Sequence, residues 1–117
     1  MIIEKPWGTE ETWAKTGKYM GKILYINEGQ RLSLKYHSKK EHTIYVLEGT
    51  LQLILEETSI RDKEVLILNV GSSHHIEPMT IHRFAATQGG AVKLIEVSTL
   101  EEDDIVTERT KEHYTLQ

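Results

Sequence analysis

The sequence contains no cysteine, and only two prolines and one phenylalanine among its 117 residues. The absence of cysteine removes disulfides, thiolate metal sites, cysteine-held iron-sulfur clusters and a cysteine nucleophile, and it is compatible with a reducing compartment. No apolar run approaches the ~18 residues a membrane span needs, and the first residues lack a basic flank followed by an apolar segment and a small-residue cleavage site. The expectation is a cytoplasmic protein with no membrane partner. Basic stretches are also missing: no run of Lys or Arg exceeds two, and the net charge is -4. A chain with that charge pattern is poorly suited to the phosphate backbone, so no nucleic-acid partner is expected.

What is present is the composition of one soluble globular domain, 38% hydrophobic and 27% charged, with strand signals along most of its length. Short segments at 22–26, 31–37, 43–47, 51–56, 65–70, 82–87 and 92–98 are rich in Val, Ile, Leu, Thr and Tyr or alternate in polarity. Turn residues at Asn27-Glu28-Gly29, Glu48-Gly49, Arg61-Asp62-Lys63, Pro78 and Gln88-Gly89-Gly90 separate them at intervals of about ten residues. That rhythm predicts an all-β sandwich or small barrel. One domain over 1–117 is expected, with 1–21 as an N-terminal strap, 22–99 as the barrel and 100–117 as a tail. Acidic residues at Glu101–Asp104 suit the start of a helical turn within Leu100–Arg109. Trp7 and Trp13 are expected to cover the barrel from the strap.

Histidine is the unusual ingredient. Five of the six histidines, His37, His42, His74, His75 and His82, lie between positions 37 and 82. Side chains alternate across a strand, so Ser33, Lys35 and His37 are read on one face of 31–37, and Leu32, Leu34 and Tyr36 on the other. His42 and His82 each stand at the head of a later strand. Three imidazoles converging from rigid strands can hold a divalent ion with positions left open for chemistry. His37, His42 and His82 are the candidate metal ligands, and neutral nitrogen donors favour Zn, Fe or Ni over Mg or Ca. His74 and His75 precede Glu77 and are read as a loop-edge pair, with His75 a candidate substrate contact at the pocket mouth.

Two stretches carry a resemblance. The spacing Gly29, five residues, Lys35, one residue, His37, four residues, His42, six residues, Gly49 is similar to the first motif of the cupin superfamily. Gly71, five residues, Glu77, one residue, Met79, two residues, His82, three residues, Ala86 repeats the intervals of the second motif. A wider resemblance, to the type II mannose-6-phosphate isomerase branch of the cupins, runs through Lys5–Trp13, Gly29–Leu34, Tyr45–Gly49, Ile81–Phe84 and Ile95–Thr99. It implies a cupin jelly-roll barrel of six to ten short antiparallel strands, one divalent metal and a homodimer. Relatives of that branch carry Gln where this chain has Lys35 and Glu where it has His42, both as ligands. An arginine associated with isomerase catalysis is replaced by Thr107.

These departures shape the expected chemistry. A Lys35 ammonium would repel a divalent cation and is better cast as a pocket cation than as a ligand; Lys35 is the candidate partner for a substrate phosphate or, as the neutral amine, the candidate base, with Glu96 as a second candidate base. Exchange of carboxylate for imidazole at His42 leaves a bound ion with its full double charge and greater Lewis acidity. The resemblance implies isomerisation or epimerisation of a phosphorylated sugar; the alternatives are a non-catalytic sugar-binding or regulatory cupin, and a three-histidine dioxygenase. A homodimer is also expected from face parity, which puts Leu32, Leu34, Tyr45 and Leu47 on an outer face.

Overall fold

The computed structural model of the protein describes residues 1–56, 63–87, 89–100 and the backbone of 105–107. Among the described residues eleven strands run in chain order: β1 (Ile2–Lys5), β2 (Gly8–Lys15), β3 (Tyr19–Ile26), β4 (Lys35–His37), β5 (His42–Glu48), β6 (Leu51–Glu56), β7 (Lys63–Leu68), β8 (Ser73–Ile76), β9 (Ile81–Ala86), β10 (Val92–Thr99) and β11 (Ile105–Thr107). They form a six-stranded sheet in the order β1-β2-β3-β10-β5-β8 and a five-stranded sheet in the order β11-β4-β9-β6-β7. All pairings among the described strands are antiparallel, which agrees with the sandwich or small barrel expected from the strand rhythm and with the jelly roll that the resemblance implies.

Alternation decides what enters the space between the sheets. On β3 Leu24 and Ile26 point inward, on β5 Ile44 and Val46, on β6 Leu51 and Leu53, on β9 Phe84 and Ala86, and on β10 Val92 and Leu94; all belong to one buried cluster. Register ties these rows together, because Leu94 pairs with both Leu24 and Val46 across β10. Burying each such side chain contributes on the order of 1.5–3 kcal/mol, so this row holds the two sheets face to face.

The structure departs from the sequence reading in four places. The segment 1–21 is no loose strap: β1 and β2 extend the six-stranded sheet, with Gly8 pressed so closely on the Tyr25 carbonyl that a side chain there would collide. Residues 31–34 do not continue the β4 ladder. Arg31 makes an isolated bridge to Ala85 and the Leu32 amide donates to the Phe84 carbonyl; freed from strict alternation, Leu32 and Leu34 both bury, at 5% and 2% exposed. The outer-face argument for a dimer therefore loses these two leucines and keeps Tyr45, which is 46% exposed. A short strand, β8, forms at Ser73–Ile76, where the sequence alone reads His74 and His75 as a loop-edge pair. Ile105–Thr107 is strand rather than helical turn, and the acidic Glu101–Asp104 lies outside the described residues.

Candidate metal centre and its cavity

Three strands bring the histidines together. His37 ends β4, His42 opens β5 and His82 is the second residue of β9, whose register partner on β4 is Lys35. The ring centroids are 5.3 Å apart for His37 and His42, 5.1 Å for His42 and His82, and 6.2 Å for His37 and His82. All three are buried, at 6%, 2% and 1% exposed. Buried imidazole nitrogens need partners. His37 Nδ1, His42 Nε2 and His82 Nε2 have none among the described residues.

The opposite nitrogens of two rings are held. His42 Nδ1 donates to Glu96 Oε2, and His82 Nδ1 donates to the Thr80 carbonyl at 2.8 Å. With Nδ1 carrying the proton, Nε2 is the lone-pair nitrogen in both rings. The turn that supplies Thr80 also anchors His37: the Met79 amide donates to the His37 carbonyl at 2.6 Å. Met79 sits at φ 69°, the left-handed region that disfavours a side chain. It occupies the place where the cupin motif commonly has glycine, so the strained residue lies in the turn linking two of the three histidines.

Burial lowers the His37 pKa to about 4, with help from His42, Lys40 and Lys35. Burial also lowers that of His82 to about 3, against the partial opposition of the Thr80 carbonyl. Both rings are neutral at physiological pH, the form in which imidazole ligates metals. For Glu96, burial alone would raise the pKa, but the hydrogen bond from His42 and the charges of Lys35 and Lys22 outweigh it and leave the carboxyl at about 2.

The residues fit a divalent transition metal in donor type: three buried imidazoles, each with a nitrogen unpartnered among the described residues. An imidazole binds zinc at ~2.0–2.1 Å, which places the centroids of rings sharing one ion roughly 5 Å apart. The His42–His37 and His42–His82 spacings are close to that, and the His37–His82 gap is wider. Among the described residues no group of three or more His, Cys, Asp or Glu is placed closely enough to hold a metal ion as the rings stand, so a bound ion would require them to close up. His37 is the ring whose Nδ1 is not pinned.

Of the three rings His37 lines a cavity of about 280 Å³, together with Lys35, Glu96, Trp7, Leu24, Leu32 and Phe84. Lys5, Lys22 and Lys40 also line it, with Glu10, Ser33 and Ser98. Lys22 Nζ lies 3.0 Å from Glu10 Oε2. Four lysines against two carboxylates leave the cavity with an excess of positive charge. Burial lowers the pKa of Lys35, partly opposed by Glu96 and reinforced by Lys22 and Lys5.

Sequence reasoning thus places Lys35, His37, His42, His82 and Glu96 in one neighbourhood, and the structure brings all five together. His75 is not brought there. Its register partner is Thr43, on the outward-facing alternation of β5, and its Nε2 lies 3.5 Å from Glu41 Oε2 at the surface. His74 lies on the opposite side of β8 and pairs with Ile44. Trp7 lines the cavity, whereas Trp13 is 51% exposed with its ring against Gly21. The sequence reading missed Lys22, although Lys22, Leu24 and Ile26 share one face by alternation, and it missed the Thr80 carbonyl, for which a side-chain reading carries no signal.

A family model described as mannose-6-phosphate isomerase, C-terminal, matches residues 1–110. The alginate biosynthesis protein AlgA of Pseudomonas aeruginosa is 32% identical over 116 residues, covering 96% of this chain and 22% of that protein. Mannose-1-phosphate guanylyltransferase 2 of Escherichia coli O157:H7 is 31% identical over 118 residues, with 96% and 22% covered. The chain thus spans under a quarter of the length of these relatives. Among solved structures, KdgF from Halomonas sp. superposes with a TM-score of 0.74 at 18% identity, covering 88% of each chain. A Klebsiella pneumoniae protein with a double-stranded beta-helix domain gives 0.72 at 13% identity, covering 91% of this chain and 83% of that one. At such identities these two superpositions speak to the fold alone.

Proposed function

The chain belongs to the mannose-6-phosphate isomerase C-terminal family of cupin domains, and we propose that it binds one divalent transition metal through His37, His42 and His82 and isomerises or epimerises a phosphorylated sugar. The observation that carries this reading is the set of three buried, unpartnered ring nitrogens beside a lysine-lined cavity. Orphaned buried nitrogens on three strands are costly unless a ligand satisfies them.

A bound divalent ion would supply Lewis-acid polarisation of a sugar carbonyl. The remaining work falls to the chain. Lys5, Lys22 and Lys40 give the cavity the sign that attracts a phosphate dianion. Leu24, Leu32, Phe84 and Trp7 wall the space and limit access of water. Aldose-to-ketose conversion moves a proton from C2 to C1, and epimerisation returns it to the opposite face of one carbon. Lys35 Nζ is the base candidate for that transfer, because Glu96 Oε2 is already engaged with His42.

The non-catalytic sugar-binding reading is favoured by that same engagement, which occupies one of the two carboxylate oxygens that proton transfer would draw on. One experiment separates the two. Protein loaded with Zn, Ni or Fe is mixed in D₂O with mannose 6-phosphate or fructose 6-phosphate and followed by ¹H and ¹³C NMR. Deuterium entering C1 or C2, with interconversion of the sugars, is the result expected for catalysis. Line broadening on binding without exchange would leave a binding protein, and neither exchange nor binding would overturn the sugar-phosphate assignment.

A further inference from the structure

We infer that Glu96 is a positioning residue, which fixes the His42 ring so that Nε2 faces the other two histidines. The inference rests on the metal-site reading above and changes the role of Glu96 from base to anchor.

Three observations carry it. Glu96 Oε2 is the hydrogen-bond partner of His42 Nδ1, while Nε2 of the same ring is buried with no partner among the described residues. The contact is set by register: on β10, Ser98 pairs with His42 and Glu96 pairs with Ile44, so the carboxylate lies one inward step along the sheet from the ring. Lys22 is the register partner of Glu96 on β3 and lines the same cavity with Lys35, so the carboxylate sits beside cationic side chains, while Lys22 Nζ itself pairs with Glu10 Oε2 at 3.0 Å. A carboxylate that cannot donate forces the proton onto Nδ1, and the lone pair must then sit on Nε2. His82 reaches the same tautomer through the Thr80 carbonyl. The chain therefore uses one side chain and one backbone oxygen for the same purpose, on two adjacent rings 5.1 Å apart.

Glu96→Ala removes the acceptor, and Glu96→Gln keeps one through its amide oxygen. The full chain labelled with ¹⁵N-histidine and freed of metal is examined by long-range ¹H–¹⁵N correlation, which reports the tautomer of each ring without any reaction. The wild type is expected to show His42 protonated on Nδ1, Glu96→Gln to retain that form, and Glu96→Ala to show a mixture. Affinity for Ni²⁺, measured against a chelator, should fall about 10- to 100-fold in Glu96→Ala and be largely rescued in Glu96→Gln. A His42 signal unchanged in Glu96→Ala, with Ni²⁺ affinity at the wild-type level, would overturn the positioning role and leave the metal site standing. If the wild type binds no Ni²⁺, Zn²⁺ or Fe²⁺, the metal-site reading fails, and the tautomer of the Glu96→Ala ring still decides whether Glu96 orients His42.

Discussion

The two ends of the barrel interior are built from the same strands by the same alternation, yet they do different work. Following the inward positions of β3 from Lys22 through Leu24 to Ile26, of β5 from His42 through Ile44 to Val46, and of β9 from His82 through Phe84 to Ala86, chemistry comes first and core follows. On β10, antiparallel to β3 and β5, the order reverses: Val92 and Leu94 precede Glu96 and Ser98. One end is closed by fully buried aliphatic side chains, and the other holds imidazoles, lysines and a carboxylate around a cavity. The apolar end supplies the free energy that allows the polar end to keep unsatisfied groups in place.

That division makes the two ends separable by mutation. Leu94→Ala, at a fully buried position of the apolar end, should cost about 2–5 kcal/mol of stability. In the folded fraction its affinity for Ni²⁺ should match the wild type, and equal damage to both properties in urea titration and metal binding would mean the ends are not independent.

Acid should attack the polar end selectively. The pKa values of His37 and His82 are lowered from 6.5 to about 4 and about 3 in the folded chain. Between these values and 6.5 the unfolded chain binds more protons, so stability present above pH 6.5 is lost as pH falls. By pH 4.5 the loss is about 2–3 kcal/mol per histidine. Glu96, lowered from 4.5 to about 2, adds a further loss in the same direction below pH 4.5. Urea midpoints of chelator-treated protein across this window should fall with pH, and more gently in His82→Asn; a flat profile in the wild type would mean these rings are not held neutral.

The polar end was largely legible in the sequence, because its residues are chemically loud and alternation in 35–37 and at the heads of β5 and β9 carries them to one side. The apolar end was legible from the Val, Ile and Leu runs. What the sequence hid were elements whose inward positions are themselves polar. In β2 the inward Glu10 and Thr12 face the sheet end that holds the cavity, so the usual apolar stripe is broken. In β8 the inward His74 does the same. Leu32 and Leu34 misled in the opposite way: both are buried, but a bridge and a single backbone hydrogen bond replace the regular ladder on which a parity argument depends.

Smaller effects sharpen the contrast. Lys35→Gln removes a side chain whose ammonium form would repel an ion at the candidate ligands and whose burial already disfavours that form, and Ni²⁺ affinity should rise. Unchanged affinity by competition titration would mean Lys35 Nζ lies outside the field of the ion. Met79→Gly relieves a left-handed φ of 69° in the turn between the histidines. The relief of ~1–2 kcal/mol is offset in part by the greater unfolded-state entropy of glycine, for a net gain of at most about 1 kcal/mol in urea denaturation. A net loss would show that the Met79 side chain contributes contacts beyond its strain.

The central claim is that His37, His42 and His82 form one metal site, and calorimetric titration of chelator-treated protein with Ni²⁺ or Zn²⁺, beside His42→Ala, tests it most directly. The wild type should take up one ion per chain, and His42→Ala should lose most of that affinity while keeping its fold by circular dichroism. A His42→Ala protein that binds one ion as tightly as the wild type, or a wild type that binds none, would contradict it.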